Sequence, residues 1–240
     1  MNDCKFREIR YTLDMNITAL ELWCLNLPEL HDFYTRLLGL PVVEDSPESL
    51  TLQAGRSRLT FHQADGTQAG RYHVAFDIPE NQFDQAFSWL QARVPPAASA
   101  DGRIVFDLSH WNATSVYFFD PVGNILELIA RHGQPTATQG DFSAASLVSV
   151  SEFGIALQDV RASVQAAVEQ LGVSVYDGAG SDTFSAVGDE QGLLIMVKRG
   201  RIWMPDSGFP AEFYPFRLQV QTQAERRYTL SAPPFPLQID

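Results

Sequence analysis

The chain has 240 residues, of which 45% are hydrophobic and 11% aromatic, so it can form a sizeable core and is not expected to be disordered. Its formal net charge is −12 with only 17 basic residues and no Lys/Arg cluster, which argues against nucleic acid or an anionic membrane surface as a partner. It has no apolar run of about 18 residues, and its two cysteines, Cys4 and Cys24, form neither a disulfide framework nor a metal-binding pair. The segment MNDCKFREIRYTLDM lacks the features of a signal peptide, so we expect a cytoplasmic protein.

A strand and a helix open the first unit of the chain. Residues 17–25 alternate as a strand does, with Ala19, Glu21 and Trp23 on one face. Residues 27–38 carry apolar side chains at helical spacing, and Gly39 after them is typical of a helix C-terminus. Three short strands are predicted next, around residues 41–44, 49–53 and 58–62.

The same order of elements then repeats. YHVAFDIP is an alternating strand, residues 81–93 form an amphipathic helix, and PPAASADG is a loop. Three strands are predicted at residues 103–108, 115–119 and 125–130. Two units of about fifty to sixty residues with one order of elements indicate an internal duplication.

The second half resembles a degenerate or truncated copy. Residues 132–147 are polar and contain Pro and Gly, as a linker does. FGIALQDV then predicts a strand, and RASVQAAVEQLGV predicts a helix. Further strands are predicted near residues 174–176, 183–187, 193–198 and 213–221, the last opening a fourth unit that is followed only by the Pro-rich tail SAPPFPLQID.

The repeated unit, together with FYTRLLGLP, YHVAFDIP and DPVGNILELI, resembles the vicinal oxygen chelate superfamily. That superfamily includes glyoxalase I, extradiol ring-cleaving dioxygenases, fosfomycin-resistance enzymes and bleomycin-resistance proteins. The resemblance implies an α+β fold in which paired βαβββ modules form a curved mixed sheet around a cleft, with a second, degenerate copy. It divides the chain into a domain of two modules at residues 17–131, a linker at 132–147 and a second domain at 148–240.

The resemblance also implies a divalent metal in the cleft. His73 and Glu127 match the ligand positions of the second unit. The matching position of the first unit is Ala19, which cannot bind a metal, so we consider Glu21, which faces the same side about 6.5 Å further along the strand. One imidazole with two carboxylates suits Fe(II), Mn(II), Ni(II) or Zn(II), and no metal is expected if the site is lost.

Further site residues follow from the resemblance to extradiol dioxygenases. Tyr117 lies ten residues before Glu127, where those enzymes carry a tyrosine that hydrogen-bonds a substrate oxygen. His110 matches an active-site histidine of some of them and would act as an acid/base or as a hydrogen-bond donor. The candidate substrate-binding residues are Trp23, Thr60, His62, Trp111 and Asn112.

Glu152 occupies the phase of the first ligand in the third unit, but no His or DPxGN turn accompanies it there, so no independent metal site is expected in the second half. That half is expected to support the first half, close one side of the cleft or form the surface of a homodimer. Each candidate also has an ordinary structural interpretation: a polar strand face for Glu21, core packing for Tyr117 and Trp203, and an exposed loop for His110.

Three functions stay open. A metal-dependent enzyme would act on a small molecule with neighbouring oxygen atoms, and His110 with Tyr117 favours dioxygenase-like over glyoxalase-like chemistry. Thr60 also stands where glyoxalase I uses a carboxylate. The alternative, which Ala19 suits, is a non-catalytic small-molecule-binding protein of the bleomycin-resistance type. A scaffold protein with a vestigial cleft is the third function.

Overall fold

The computed structural model describes residues 15–66, 69–206, 208–222, 226–231 and 238–239. Cys4 and most of the Pro-rich tail lie outside the described residues. Within the described part of the chain, no helix has both the length and the apolar character needed to span a membrane.

The first two units have the predicted order of strand, helix and three strands. The elements of unit one are β1 (Met15–Cys24), α1 (Leu27–His31), β2 (Val42–Asp45), β3 (Ser49–Ala54) and β4 (Ser57–Gln63). The helix α1 continues as a π-helical segment, Asp32–Leu37. The elements of unit two are β5 (His73–Ile78), α2 (Phe83–Gln91), β6 (Phe106–Leu108), β7 (Ala113–Phe119) and β8 (Ile125–Arg131).

The second half contains a third complete unit and the beginning of a fourth. The elements of unit three are β9 (Ser149–Leu157), α3 (Val160–Leu171), β10 (Val175–Gly180), β11 (Phe184–Asp189) and β12 (Gly192–Lys198). The remaining strands are β13 (Phe216–Thr222), β14 (Arg227–Ser231) and β15 (Gln238–Ile239). The sequence analysis predicted β13 but missed β14 and β15, which are short and flank the proline-rich stretch.

Strand pairing follows one rule in every unit. The opening strand pairs in parallel with the last strand of its own unit, as β1 with β4, β5 with β8 and β9 with β12. The opening strands also pair with one another in antiparallel fashion, as β1 with β13 and β5 with β9. The predicted α+β fold of curved mixed sheets built from βαβββ modules is therefore confirmed.

These pairings distribute the units over two sheets. Among the described residues, sheet one has the order β15-β14-β13-β1-β4-β3-β2 and sheet two has the order β10-β11-β12-β9-β5-β8-β7-β6. Units one and two, which the sequence analysis placed in one domain around one cleft, therefore contribute to different sheets. Unit two instead shares a sheet with unit three.

The predicted linker is hydrogen-bonded to the segment around α2. The Asn81 side chain donates to the carbonyl of Thr138 at 2.9 Å, and the Gln82 side chain donates to the carbonyl of Gly140 at 2.9 Å. These bonds hold residues 136–142 against unit two and guide the chain into β9.

The central strands of sheet two, β5 and β8, are buried on both faces. Side chains alternate across a strand, so each face has its own set of residues. The face that packs in the main hydrophobic core carries Val74, Phe76, Ile78, Leu126 and Leu128. The opposite face carries the buried polar residues His73, Asp77, Glu127 and Arg131. Sheet two therefore holds a polar surface that is removed from solvent.

Asp120 organises the turn that joins β7 to β8. Its Oδ1 accepts hydrogen bonds from the backbone N–H groups of Val122 at 3.2 Å and Asn124 at 2.8 Å. Its Oδ2 accepts from the Asn124 side chain at 2.7 Å and from the Tyr34 hydroxyl at 3.0 Å. The turn aligns Glu127 on β8, and the bond from Tyr34 ties unit two to the helical segment of unit one.

We expect Asp120→Asn to lower the free energy of unfolding by about 2 kcal/mol at neutral pH, where Asp120 is ionised, because an amide cannot accept all of these hydrogen bonds. Burial raises the pKa of Asp120 to about 6, although hydrogen bonds from Asn124 oppose the shift. Between about pH 4 and pH 6 the folded protein therefore binds a proton at Asp120 more tightly than the unfolded chain does. Protonation of Asp120 adds to the free energy of unfolding at low pH, and this contribution is lost as the pH rises through that range.

Urea unfolding of the wild type and Asp120→Asn at several pH values tests this prediction. The difference between the two proteins should narrow as the pH rises from about 4 to about 6. The exposed Asp107→Asn serves as the control and should change stability little at any pH. A constant difference across the range would contradict the raised pKa of Asp120.

Candidate metal centre

Three buried side chains that can bind a metal meet on the polar face of sheet two. They are His73 on β5, Glu127 on β8 and Glu152 on β9, with 7%, 2% and 4% of their side chains exposed. The Nε2 atom of His73 lies 3.6 Å from Oε2 of Glu127 and 3.9 Å from Oε2 of Glu152. The ligand atoms all lie within 4.8 Å of one another, close to the ~3–4 Å spacing of donors that each lie about 2.1 Å from one ion.

The strand register explains why these three residues meet. Ala75 pairs with Glu127 on one neighbouring strand and with Glu152 on the other, so the two carboxylates flank one small residue. His73 lies two residues earlier on the same strand and therefore on the same face. A larger side chain at position 75 would occupy the space between the carboxylates.

The charges of this region fit a divalent cation. Among the described residues, Oε1 of Glu127 is buried and has no hydrogen-bond partner. In the deprotonated state that a metal would bind, His73 is neutral and the carboxylates of Glu127, Glu152 and Asp77 are ionised. The guanidinium of Arg131 then leaves two negative charges unbalanced in a buried place. Buried uncompensated charge is strongly unfavourable, and a divalent metal would neutralise it. His73, Glu127 and Glu152 therefore have the composition, spacing and charge of a metal site.

Protons compete with a metal for this cluster. Burial raises the pKa of Glu127 to about 7, and the charge of Glu152 acts in the same direction. Burial also acts to raise the pKa of Glu152, but His73 and Arg131 outweigh burial and the pKa is lowered. The pKa of His73 is raised because Glu152 and Glu127 outweigh its burial. A metal that binds here must therefore displace protons from His73 and Glu127.

Arg131 orients Glu152 from below the cluster. Its Nη2 donates a short hydrogen bond to Oε1 of Glu152, and its Nε lies 3.2 Å from Oδ1 of Asp77. The guanidinium is almost completely buried, and burial raises the pKa of Asp77 to about 7 although Arg131 opposes the shift. Such partners hold a ligand side chain in one orientation.

The cluster lines a cavity of about 280 Å³. Its walls are otherwise mainly aromatic and apolar, formed by Leu108, Trp111, Phe184, Ile195, Trp203 and Met204. Unit two and the second half both contribute these walls, so the second half closes one side of the cavity. A cavity of this size and lining suits a small molecule with a ring or another flat apolar group.

Tyr117 faces the same cavity beside Glu127. The two residues are directly opposite on β7 and β8, and the Tyr117 ring lies 6.1 Å from the imidazole of His73. Burial raises the pKa of Tyr117 well above its usual value, and the charges of Glu127 and Glu152 add to the effect. The phenol therefore stays protonated and can donate a hydrogen bond to a ligand.

The other predicted residues of unit two lie at the mouth of the cavity or beside it. His110 and Trp111 line the cavity from a 3₁₀ turn, Ser109–Trp111, in which His110 is exposed. Asn112 ends this turn in a left-handed conformation with φ of 48° and is not among the residues that line the cavity. The structure therefore brings His110 and Trp111 to the candidate centre, but not Asn112.

The predicted residues of unit one lie on the other sheet. The Glu21 carboxylate is 3.0 Å from Nε2 of His62 and 3.0 Å from Nη1 of Arg217. Trp23 stacks near His62, with ring centroids 5.0 Å apart, and Thr60 is paired with Glu21 across β1 and β4. Glu21, Trp23, Thr60 and His62 consequently do not contact the cluster.

Glu152 stands in the place that the sequence analysis gave to Glu21. The reason is that β5 pairs with β9 and not with β1. The signal was present, because Glu152 opens the third unit in the phase of the first ligand. Trp203 was assigned to packing, although its ring lies 5.4 Å from His73 and forms part of the cavity wall. It comes from an irregular segment after β12 that carries no recognisable motif.

Residues 16–128 match the model of the Glyoxalase/Bleomycin resistance protein/Dioxygenase superfamily. No protein with a curated description matches the chain significantly in sequence. A solved structure with the same fold is that of a candidate dioxygenase from Bacillus subtilis subsp. subtilis str. 168, with 15% identity and a TM-score of 0.56. The match covers 92% of this chain and 86% of that chain, so the shared fold extends over both halves.

Two further solved structures are similar over parts of their length. Glyoxalase I from Zea mays is 13% identical, with 88% of this chain and 75% of that chain covered and a TM-score of 0.48. Lactoylglutathione lyase from Agrobacterium tumefaciens is 21% identical, with 47% of this chain and 90% of that chain covered and a TM-score of 0.39.

Gly154 leaves room for the contact between Trp203 and His73. A Cβ atom at this position would lie 2.6 Å from Cη2 of Trp203 and 2.9 Å from Cβ of His73. We expect Gly154→Ala to displace the indole and to lower the free energy of unfolding by about 1–3 kcal/mol, measured by urea unfolding. Gly133→Ala is the control, since its Cβ would meet the ends of two side chains, those of Glu190 at 3.3 Å and Asn112 at 3.7 Å. Equal stability of the two variants would contradict this tight packing.

Proposed function

We propose that this chain, whose residues 16–128 belong to the Glyoxalase/Bleomycin resistance protein/Dioxygenase superfamily, is a metal-dependent enzyme that acts on a small molecule with two neighbouring oxygen atoms. The observation that carries the proposal is the buried cluster of His73, Glu127 and Glu152 at the wall of an apolar cavity. The cluster provides ligands, and the cavity provides space for a substrate beside them.

One imidazole and two carboxylates suit Fe(II), Mn(II), Ni(II) or Zn(II). His73, Glu127 and Glu152 would hold the metal, which would supply Lewis acidity toward the oxygen atoms of the substrate. Arg131 and Asp77 keep Glu152 oriented toward the centre, and the apolar walls exclude water from it.

Tyr117 and His110 have complementary roles in this proposal. The buried phenol of Tyr117 donates a hydrogen bond to a substrate oxygen and holds the substrate in one orientation. His110 lies at the exposed mouth of the cavity, where an imidazole can transfer protons between substrate and solvent.

Dioxygenase-like chemistry on an aromatic diol suits this cavity better than glyoxalase-like chemistry. Both residues that match extradiol enzymes, Tyr117 and His110, line the cavity with the cluster. The walls formed by Trp111, Phe184 and Trp203 offer flat surfaces for stacking an aromatic ring. These contacts support a ring-bearing substrate.

A second candidate function is small-molecule binding without a metal. Arg131 already pairs with Glu152, and a protonated His73 would balance the charge of Glu127. In that protonation state the two cations offset the two glutamates, and one negative charge is left on Asp77 if it is ionised. The cavity would then retain an aromatic ligand through its walls alone.

Metal content separates the two candidates. We expect the protein, purified anaerobically and reconstituted with a divalent metal, to hold about one ion per chain by elemental analysis. His73→Ala, Glu127→Gln and Glu152→Gln should each lower the metal affinity by more than about 10-fold, because each removes a ligand.

Glu21→Gln is the matched control, because it neutralises a carboxylate that occupies sheet one and should leave metal retention unchanged. Equal metal content in all four variants would overturn the assignment of the ligands. A wild-type protein that holds no metal after reconstitution would favour the binding protein.

Tyr117→Phe tests the role of the phenol. We expect this variant to hold metal as the wild type does but to bind 1,2-dihydroxybenzene about 10-fold more weakly, since one buried hydrogen bond is lost. Anaerobic calorimetry measures the affinity without turnover by oxygen. Tyr228→Phe, a half-buried tyrosine of sheet one, is the control and should bind as the wild type does. Unchanged affinity in Tyr117→Phe would remove this residue from the substrate site.

A further inference from the structure

Arg201 lines the cavity of the candidate metal centre from the segment that follows β12. Its guanidinium carbon lies 5.0 Å from the centroid of the Phe184 ring, and Phe184 is part of the same cavity wall. The side chain is exposed, so the charge sits where the cavity opens to solvent. Arg201 therefore places a permanent positive charge beside an aromatic wall.

No carboxylate among the described residues forms an ion pair with Arg201. The neighbouring Arg199 differs in this respect, because its Nε is 2.6 Å from Oε2 of Glu212. Both guanidinium groups stack on a phenylalanine, Arg199 on Phe213 at 5.0 Å, but only Arg201 lines the cavity. One arginine of this segment is thus neutralised within the fold, and the other is available to a ligand.

The surroundings of Arg201 are negatively charged. The chain carries a net charge of −12, and Glu127 and Glu152 lie in the same cavity, so an anionic ligand would be repelled without a local cation. The other residues that line the cavity are mainly apolar or aromatic. A substrate that contacts both the cluster and Arg201 therefore has an apolar body with a polar group at each end.

We propose that Arg201 is a specificity-determining residue that binds a carboxylate on the substrate, at the end opposite its two neighbouring oxygen atoms. The inference rests on the proposed function and names its substrate class: a single-ring aromatic diol that carries a carboxylate. One guanidinium balances the single charge of a carboxylate and matches its two oxygens, whereas a phosphate monoester carries up to two charges. A cavity of about 280 Å³ leaves room for one ring with small substituents.

The test compares two probes that differ only in charge, 3,4-dihydroxybenzoate and 3,4-dihydroxybenzamide, on Mn(II)-reconstituted protein by anaerobic calorimetry. The wild type should bind the benzoate at least about 10-fold more tightly than the benzamide. In Arg201→Gln this preference should fall to about one, through weaker binding of the benzoate alone. Arg199→Gln, which alters the same segment and leaves Arg201 in place, should keep the wild-type preference.

Metal content is measured on the same samples, so the two proposals fail in different ways. Three outcomes with the metal retained would overturn the role of Arg201 but leave the proposed function intact. The wild type could bind the benzoate and the benzamide equally, Arg201→Gln could still prefer the benzoate, or Arg199→Gln could lose that preference to the same extent as Arg201→Gln. Metal retained with neither probe bound would overturn the substrate class. Absence of metal from the reconstituted wild type would overturn the metal-dependent function and this inference with it.

Discussion

The antiparallel pairing of β5 with β9 places Glu152 beside Ala75, and the candidate metal centre depends on that pairing. His73 and Glu127 come from one unit, because β5 and β8 pair in parallel within it. The third carboxylate comes from the other half of the chain. The two halves therefore share the candidate centre, and the cavity above it is walled by both. A substitution that weakens the pairing of β5 with β9 would move Glu152 away from His73 and Glu127 without altering any of these three residues.

Local patterns were sufficient to predict most of the secondary structure, because helical and strand periodicities depend on neighbours in sequence. Two of the three residues in the cluster, His73 and Glu127, came from the family resemblance and not from periodicity. The partner of an opening strand is a non-local choice between edges of similar composition, and periodicity does not encode it. Hence Glu21 was preferred over Glu152 although both open a unit. Trp203 was missed for a related reason, because it lies in an irregular segment whose contact with His73 arises only in the fold.

Arg131 connects the stability of sheet two with the chemistry of the cluster. A buried guanidinium without partners would be very unfavourable, and it is held by Asp77 and Glu152 on the face opposite the main core. The same contacts keep Glu152 ionised, which a metal ligand requires. Hydrogen bonding on the polar face is nevertheless incomplete, since Oε1 of Glu127 is buried and has no partner among the described residues. In the part of the chain that the structure describes, the ion pair of Arg131 with Asp77 also has buried atoms without a partner, Nη1 and Oδ2, so the whole polar face of sheet two is incompletely paired.

The duplicated architecture shows how two sheets of one design came to differ in chemistry. In sheet two, Ala75 is paired with Glu127 on one side and Glu152 on the other. The equivalent residue of sheet one is Glu21, which is paired with Thr60 on one side and Arg217 on the other. The positions of the cluster are therefore taken in sheet one by Ala19, Thr60 and Arg217, and none of these offers an imidazole or a carboxylate. Glu21 lies at the position equivalent to Ala75, and its carboxylate pairs with His62 and Arg217. Among the described residues, only sheet two has side chains that could hold a metal at all three of these positions, with a small residue between them.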